Sequence, residues 1–245
     1  GHVVGSAMIE CHDVLYTGDY NPYGTVTAGI AKPRDCDTLI VESTYGKPDQ
    51  TLPDRSEVLE DLKAWIGTTS SKGNAIIGAY SLGKAQEIIA TANQTGITPA
   101  VSEVVASVSD IYKKYDVPLE YTRYDELDES EKKNPGLLVT STTSASGKNP
   151  DSVVRDLRER GAKVARVSGW CAFAKWALKG VDAGFPISDH ADFSSTMKFI
   201  EECNPKQVYT VHGSTKELAK QVEKQLGINA QPLPKYGEVA LETFN

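Results

Sequence analysis

Through the middle of this chain, short apolar runs alternate with amphipathic stretches. Residues 53–66 place Val58, Leu59, Leu62, Trp65 and Ile66 on one face at helical spacing, and a strand is expected at 74–80. A helix at 82–93, a short strand at 99–102 and a helix at 103–115 follow. A strand at 136–140, a helix at 150–160 and a strand at 163–167 complete the run. Such alternation predicts a parallel sheet covered by helices. The flanks read differently. Met8 and Ile9, then Val14, Leu15 and Tyr16, are strand-like around a Cys11-His12-Asp13 turn, so a β-hairpin is expected in residues 1–20. Residues 36–41 form an apolar run that ends in Glu42. Late in the chain, Met197, Phe199 and Ile200 mark a helix that Ser188, Asp189 or Asp192 can cap and that Asn204-Pro205 stops. Residues 208–211 then read as a strand. The charged stretch 125–133 reads as a solvated connector.

Composition narrows the classes. The 245 residues suit one large domain or two small ones, and 40% hydrophobic content supports a real core, which excludes a disordered chain. A net charge of −7 and a pI near 5.2 exclude general electrostatic coating of nucleic acid, though not a local basic groove or a metal site that meets phosphates. No apolar run approaches membrane-span length and no signal peptide opens the chain, so no membrane partner is expected and the cytoplasm is the expected compartment. Cys11, Cys36, Cys171 and Cys203 lack CxxC spacing and read as reduced thiols. The chain opens Gly1-His2-Val3-Val4 without an initiator methionine, which is expected of a piece of a longer polypeptide.

Chemistry concentrates at predicted strand ends. In parallel sheets, ligands bind outside the carboxyl ends of the strands. Those ends carry Ser81 and Lys84, then Ser141, Thr142, Ser144, Ser146 and Lys148, then Trp170. Hydroxyls, lysines and a helix start, with Asn149 as its expected cap and Pro150 as its first residue, make a candidate phosphate track; Trp170 could stack on a base. Two of the four histidines, His190 and His212, flank one predicted helix and strand.

His2 in GHVVGSA, Asp19 in YTGDY, Glu42 in ESTYG, His190 in SDHAD and His212 in VHG form an ordered series. Imidazoles with carboxylates suit zinc. Together these motifs resemble the β-CASP branch of the metallo-β-lactamase superfamily, nucleases that process RNA and DNA ends. The resemblance implies an α/β fold: the C-terminal part of an αββα metallo-β-lactamase sandwich with an inserted β-CASP domain, a parallel sheet with flanking helices. Its expected bounds are 1–47 and 185–245 for the sandwich and 48–184 for the insert, into which GAYSLGKAQE leads.

Carried over residue by residue, the resemblance makes His2 a ligand of one zinc, His212 a ligand of a second, and Asp19 the bridge. It makes His190 the group beside a non-bridging or leaving oxygen, oriented by Glu42. The family's HxHxDH motif is absent from this chain and is expected before Gly1. His2, Asp19 and His212 do not complete four-coordinate zinc, so the chain on its own is expected to be inactive. The implied function is a zinc-dependent nuclease acting on single-stranded nucleic acid, RNA before DNA, because His212 matches the RNA-acting members. Prokaryotic messenger-RNA 3'-end-processing-like exonucleases are the nearest group, and a homodimer is among the family's arrangements. VSGW and SDHADF are also similar to bacterial ligase-associated DNA exonucleases, which is the alternative. A noncatalytic RNA-binding or scaffold subunit, and a thioester or lactam hydrolase, are readings from other classes.

Overall fold

The computed structural model describes residues 1–234. Strands β1 (Ile9–Cys11), β2 (Val14–Tyr16) and β3 (Thr38–Glu42) open the chain. Next come α1 (Arg55–Ser70), β4 (Ala75–Ala79), α2 (Lys84–Gln94), β5 (Ala100–Val101), α3 (Glu103–Lys114) and β6 (Thr122–Arg123). These are followed by α4 (Glu129–Lys133), β7 (Leu137–Ser141), α5 (Thr142–Ser146), α6 (Ser152–Glu159), β8 (Lys163–Val167) and β9 (Ala183–Phe185). The last four are α7 (Phe193–Cys203), β10 (Gln207–Val211), α8 (Thr215–Leu226) and β11 (Asn229–Pro232). The chain divides into two compact units. The first holds Gly1–Val4, Gly24–Gly29 and Leu52–Asp189; the second holds Gly5–Tyr23, Ile30–Thr51 and, from His190, the remainder. No helix among the described residues is long and apolar enough to cross a membrane.

The first unit is built on a six-stranded parallel sheet in the order β6-β5-β7-β4-β8-β9. Side chains alternate between the faces of a strand, and here both faces are buried. Ile77, Val139 and Ala165 pack with Leu62, Ile66, Ile88, Ile89 and Val105 of α1, α2 and α3. Their neighbours Ile76, Leu138 and Val164 pack on the other side with Ala145, Val154 and Leu157 of α5 and α6. Gly78 lets α5 press against β4, since a Cβ there would lie 2.5 Å from that of Ala145. Helix α1 starts where the Asp54 carboxylate accepts the Ser56 and Glu57 amides.

Two expectations are corrected here. The helix after the Ser/Thr run begins at Ser152, with Asp151 at its N-cap position but making no side-chain capping bond, so Asn149 and Pro150 precede it. The run itself is not an open loop: Ser141 accepts the Ser144 amide and Thr142–Ser146 wind into one helical turn. Within 125–133 lies a one-turn helix, α4, with a reciprocal Asp128–Glu131 cap, and none of its residues is buried.

The second unit carries a five-stranded sheet, β1-β2-β3-β10-β11, parallel except for the β1–β2 hairpin. His12 takes the left-handed conformation, φ 51°, that the hairpin's turn demands. Leu15, Leu39, Val41 and Val208 face a core completed by Met197, Phe199, Ile200 and Cys203 of α7 and by Leu218 and Val222 of α8. Of the three candidate caps, Asp192 caps α7 through the Ser195 amide, and Asn204 ends the helix at φ 47°.

Candidate active site in the second unit

Strands β2, β3 and β10 run parallel and end along one edge of the sheet, where Val211 is in register with Glu42 and Tyr16 with Ile40. The chain beyond β2 stays attached, as the Thr17 amide donates to the Ile40 carbonyl at 3.0 Å. Asp19 follows β2, Glu42 closes β3 and His212 follows β10, so three separate motifs arrive at one edge.

Glu42 is 1% exposed. Its Oε1 accepts the Tyr20 amide at 2.9 Å, and both carboxylate oxygens lie 3.0 Å from Nδ1 of His190. A buried carboxylate is costly unless hydrogen-bonded, and these partners meet that need. His190 keeps a quarter of its side chain exposed. Its ring is further framed by Thr44 Oγ1, 3.4 Å from Nδ1, and by the buried Tyr45 ring, set edge-on with centroids 6.4 Å apart. The next residue, Ala191, donates its amide to the Tyr20 carbonyl at 2.8 Å, fixing the backbone on which His190 sits.

His212 sits on a tight left-handed turn, with φ 55° at His212 and 69° at Gly213. The Ser43 hydroxyl donates to the Val211 and His212 carbonyls, and the Ser214 amide donates to the Ser43 carbonyl at 2.8 Å. Only glycine fits at 213, because a Cβ would lie 2.3 Å from the Ser43 carbonyl oxygen. The turn holds the imidazole outward, 63% exposed, with Nδ1 3.4 Å from Asp19 Oδ1. That spacing fits zinc: two donors about 2.0–2.1 Å from a tetrahedral ion are separated by about 3.4 Å.

One family is matched locally. Residues 184–231 fit the family described as a Zn-dependent metallo-hydrolase RNA specificity domain. Along almost its whole length the chain is similar to the "Transcription termination factor FttA" of Methanococcus maripaludis, 25% identical over 98% of this chain and 44% of that protein. It is also similar to "Integrator complex subunit 11" of Gallus gallus, 25% identical over 97% of this chain and 48% of that protein. A "Probable DNA ligase" of Opitutus terrae is 27% identical to this chain over 94% of its length, but over only 22% of the ligase. The chain thus spans less than half the length of each of these relatives. The fold is shared with a protein of unknown function from Enterococcus faecalis V583, TM-score 0.58 at 14% identity, covering 94% of this chain and 59% of that one.

The other residues singled out from the sequence lie in the first unit. His2 places Nδ1 3.0 Å from the Asp189 carbonyl. Lys84 is the clear correction. Its side chain is 2% exposed and its ammonium is committed to Glu87 Oε2 at 2.8 Å and Asp189 Oδ1 at 2.6 Å, so it is not available to a phosphate. Arg55 extends the network, donating to Glu87 and, at 2.7 Å, to the Ser188 carbonyl. Burial raises the Glu87 pKa, but Lys84 and then Arg55 outweigh it, and the net shift is downward. Gln86 donates to the Ser81 carbonyl. Ser146 accepts from Arg166, a β8 residue 6% exposed that pattern reading passed over as part of an apolar run. Thr142 Oγ1 is buried with no hydrogen-bond partner among the described residues. Ser144 is partly exposed, Lys148 is exposed, and Trp170 lies 6.2 Å from the exposed Trp176 ring.

Proposed function

We propose that this chain is part of a zinc-dependent phosphodiesterase that cleaves nucleic acid, RNA in preference to DNA. The observation that carries the reading is the Glu42–His190 pair: a buried carboxylate holding Nδ1 of a partly exposed imidazole at 3.0 Å, on the sheet edge that also presents Asp19 and His212. With Nδ1–H donated to Glu42, the opposite ring nitrogen is the one that exchanges protons. The carboxylate stabilises the imidazolium that would donate to a leaving oxygen or to a non-bridging phosphoryl oxygen. Asp19 and His212 would hold zinc, with His2 as the further ligand that the resemblance assigns. When bound, the metal supplies Lewis-acid polarisation of the phosphoryl group and lowers the pKa of water in contact with it. Two ions, with Asp19 between them, are part of the proposal.

RNA is favoured by the matched family, an RNA specificity domain, whose matched residues include His212. The similarity to a DNA ligase keeps DNA as the second reading. The test is cleavage of matched single-stranded RNA and DNA by the full-length protein, with zinc content measured alongside. Preferred cleavage of RNA that is lost in His190→Ala while zinc content is retained is the expected result. Preference for DNA would overturn the substrate assignment. Zinc binding unaffected by Asp19→Ala and His212→Ala together would overturn the assignment of the ligands.

A further inference from the structure

The second unit holds a cavity of about 250 Å³ to which Asp19, Glu42, His190 and His212 contribute nothing. One wall is a face of α7 that carries Ser195, Lys198 and Glu202; the other is the connection from β2 to β3, with Pro22, Tyr23 and Ile30. This second wall is held in place before any ligand arrives. Asn21, 1% exposed, accepts the Tyr23 amide at 2.9 Å on its side chain and the Ala31 amide at 3.1 Å on its carbonyl. The Ser195 hydroxyl donates to the Asp192 carboxylate, so the Tyr23 hydroxyl, 2.5 Å away, donates to Ser195. Tyr23 is thus fixed through both its amide and its hydroxyl, yet it stays 61% exposed, and Ile30 of the same wall 58%. A fixed, uncovered aromatic ring is a surface on which a nucleic-acid base stacks. Charge surrounds this apolar lining, since Lys32, Lys198 and Glu202 are all exposed. Lys198 and Glu202 stand 3.7 Å apart with side chains 75% and 46% exposed, a pair weak enough in water for a ligand to part.

We propose that this cavity takes one ribonucleotide of the substrate strand, near the reacting phosphate. The base stacks on Tyr23 against the apolar walls, Lys32 and Lys198 meet its phosphate, and Glu202 accepts a hydrogen bond from the ribose 2'-hydroxyl. Size agrees, because sites for drug-sized molecules enclose roughly 300–1,000 Å³ and this slightly smaller one suits a single nucleotide. The mixture of groups agrees as well. An acidic peptide would be repelled by Glu202, and a purely apolar ligand would leave both lysines without a role. A ribonucleotide offers a π-face, an anion and a hydroxyl donor together. A carboxylate accepting from a ribose 2'-hydroxyl is a recurring form of nucleotide recognition, and that hydroxyl is what separates RNA from DNA at a given site. Position follows from the chain. The Tyr20 amide holds Glu42 and its carbonyl holds the Ala191 amide, and the backbone reaches Pro22 two residues later. On the other wall, Ser195 follows His190 by five residues. The place of the cavity in the strand rests on the nuclease reading; its occupancy is measurable without cleavage.

The test is calorimetric titration of the full-length protein with adenosine 5'-monophosphate from about 0.01 to 10 mM, a range that spans weak single-nucleotide binding. A chelator is present, so that the phosphate has no metal to bind. Binding should weaken about tenfold in Tyr23→Ala, which removes one stacking surface, and severalfold in Lys32→Gln; Tyr23→Phe, which keeps the ring, should retain most of it. The 2'-deoxy nucleotide should bind about fivefold more weakly than the ribonucleotide, and Glu202→Ala should erase that difference. All three positions are exposed, so circular dichroism spectra should not change. No binding at 10 mM, binding unchanged in Tyr23→Ala, adenosine binding as tightly as its monophosphate, or equal affinity for the ribo and deoxy forms would overturn the proposal. Cleavage of RNA that depends on His190 in a protein that binds no nucleotide here leaves the proposed activity standing and removes only this subsite. Nucleotide binding without cleavage of any strand would strike the nuclease reading and, with it, the place of the cavity in the strand.

Discussion

Replacing Lys84 with methionine should destabilise the first unit far more than a surface lysine change would. Lys84, Arg55, Glu87 and Asp189 form a balanced network, with Glu87 and Lys84 each 1% and Asp189 7% exposed. Methionine preserves the volume of the lysine stem but leaves two carboxylates sharing one guanidinium, and Asp189 loses its partner at 2.6 Å. Each of the two lysine contacts corresponds to roughly 6 kcal/mol at an effective dielectric of 20, much of it offset by the cost of burying the ammonium. Removing one partner from a buried pair costs about 3–5 kcal/mol. At a slope near 2 kcal/mol per molar urea, such a loss moves the unfolding midpoint by about 2 M. Trp65, Trp170 and Trp176, all the tryptophans of the chain, lie in this unit, so urea titration followed by tryptophan fluorescence reports on it selectively. The double variant Lys84→Met, Asp189→Asn, neutral again, should be more stable than Lys84→Met alone. Loss below about 1 kcal/mol for Lys84→Met, or strict additivity in the double variant, would refute the network as the source of stability.

The same network makes stability depend on acid. Glu87 has its pKa lowered in the fold, so its contribution is present above the ordinary carboxylate range and is lost as pH falls through the folded value; urea midpoints of wild type should fall below about pH 4.5, and less so in Glu87→Gln. Gly213→Ala should destabilise the second unit by more than 1 kcal/mol and weaken zinc binding, since the added Cβ collides with the Ser43 carbonyl beneath His212; calorimetry and zinc titration of the full-length protein check both effects. The Cys203 thiol, which burial pushes up to about 12, should resist a disulfide reagent at pH 8 in the folded chain while exposed Cys11 reacts, as thiol titration with and without denaturant would show. Arg166→Met should be close to neutral in stability, because the buried guanidinium has hydrogen bonds to Ser146 and the Trp176 carbonyl but no ion-pair partner among the described residues, and its Nε is unpaired; urea titration is again the measure.

Local pattern made the strands and core helices legible. The strand 163–167 is observed with its expected bounds, and the hairpin and the helix ending at Asn204 follow from turn and stop signals that act over a few residues. Short-range hydroxyl chemistry misled where it could serve either outcome: Ser141 looked like a loop residue and instead caps a turn of helix. Helix α8 was passed over although Leu218, Ala219 and Val222 recur at helical spacing, its polar majority masking a narrow apolar face. Lys84 shows what no local pattern holds. An exposed lysine and a buried one look identical in sequence, and the residue that decides between them, Asp189, lies 105 positions away. Glu42 and His190 are 148 positions apart, and their pairing was anticipated only through the resemblance of motifs, not through spacing.

The Arg55 contact with the Ser188 carbonyl has a kinetic consequence. Strand β3 pairs with β10, whose first residue Gln207 meets Thr38 across a sequence separation of 169. Closing so long a loop in an unfolded chain is entropically unfavourable, and sheets that depend on such pairings form slowly. Arg55 lies near the start of the long inserted segment and Ser188 near its end, and their contact at 2.7 Å means that the folded insert returns the chain close to where it left. Folding of the first unit therefore shortens the effective loop from 169 residues to 17 on one side, Thr38 to Arg55, and 19 on the other, Ser188 to Gln207. Refolding should be sequential, with tryptophan signals recovering before the sheet of the second unit closes, and a defect in the insert should appear as a delay in assembling the sheet edge that carries Glu42 and His212.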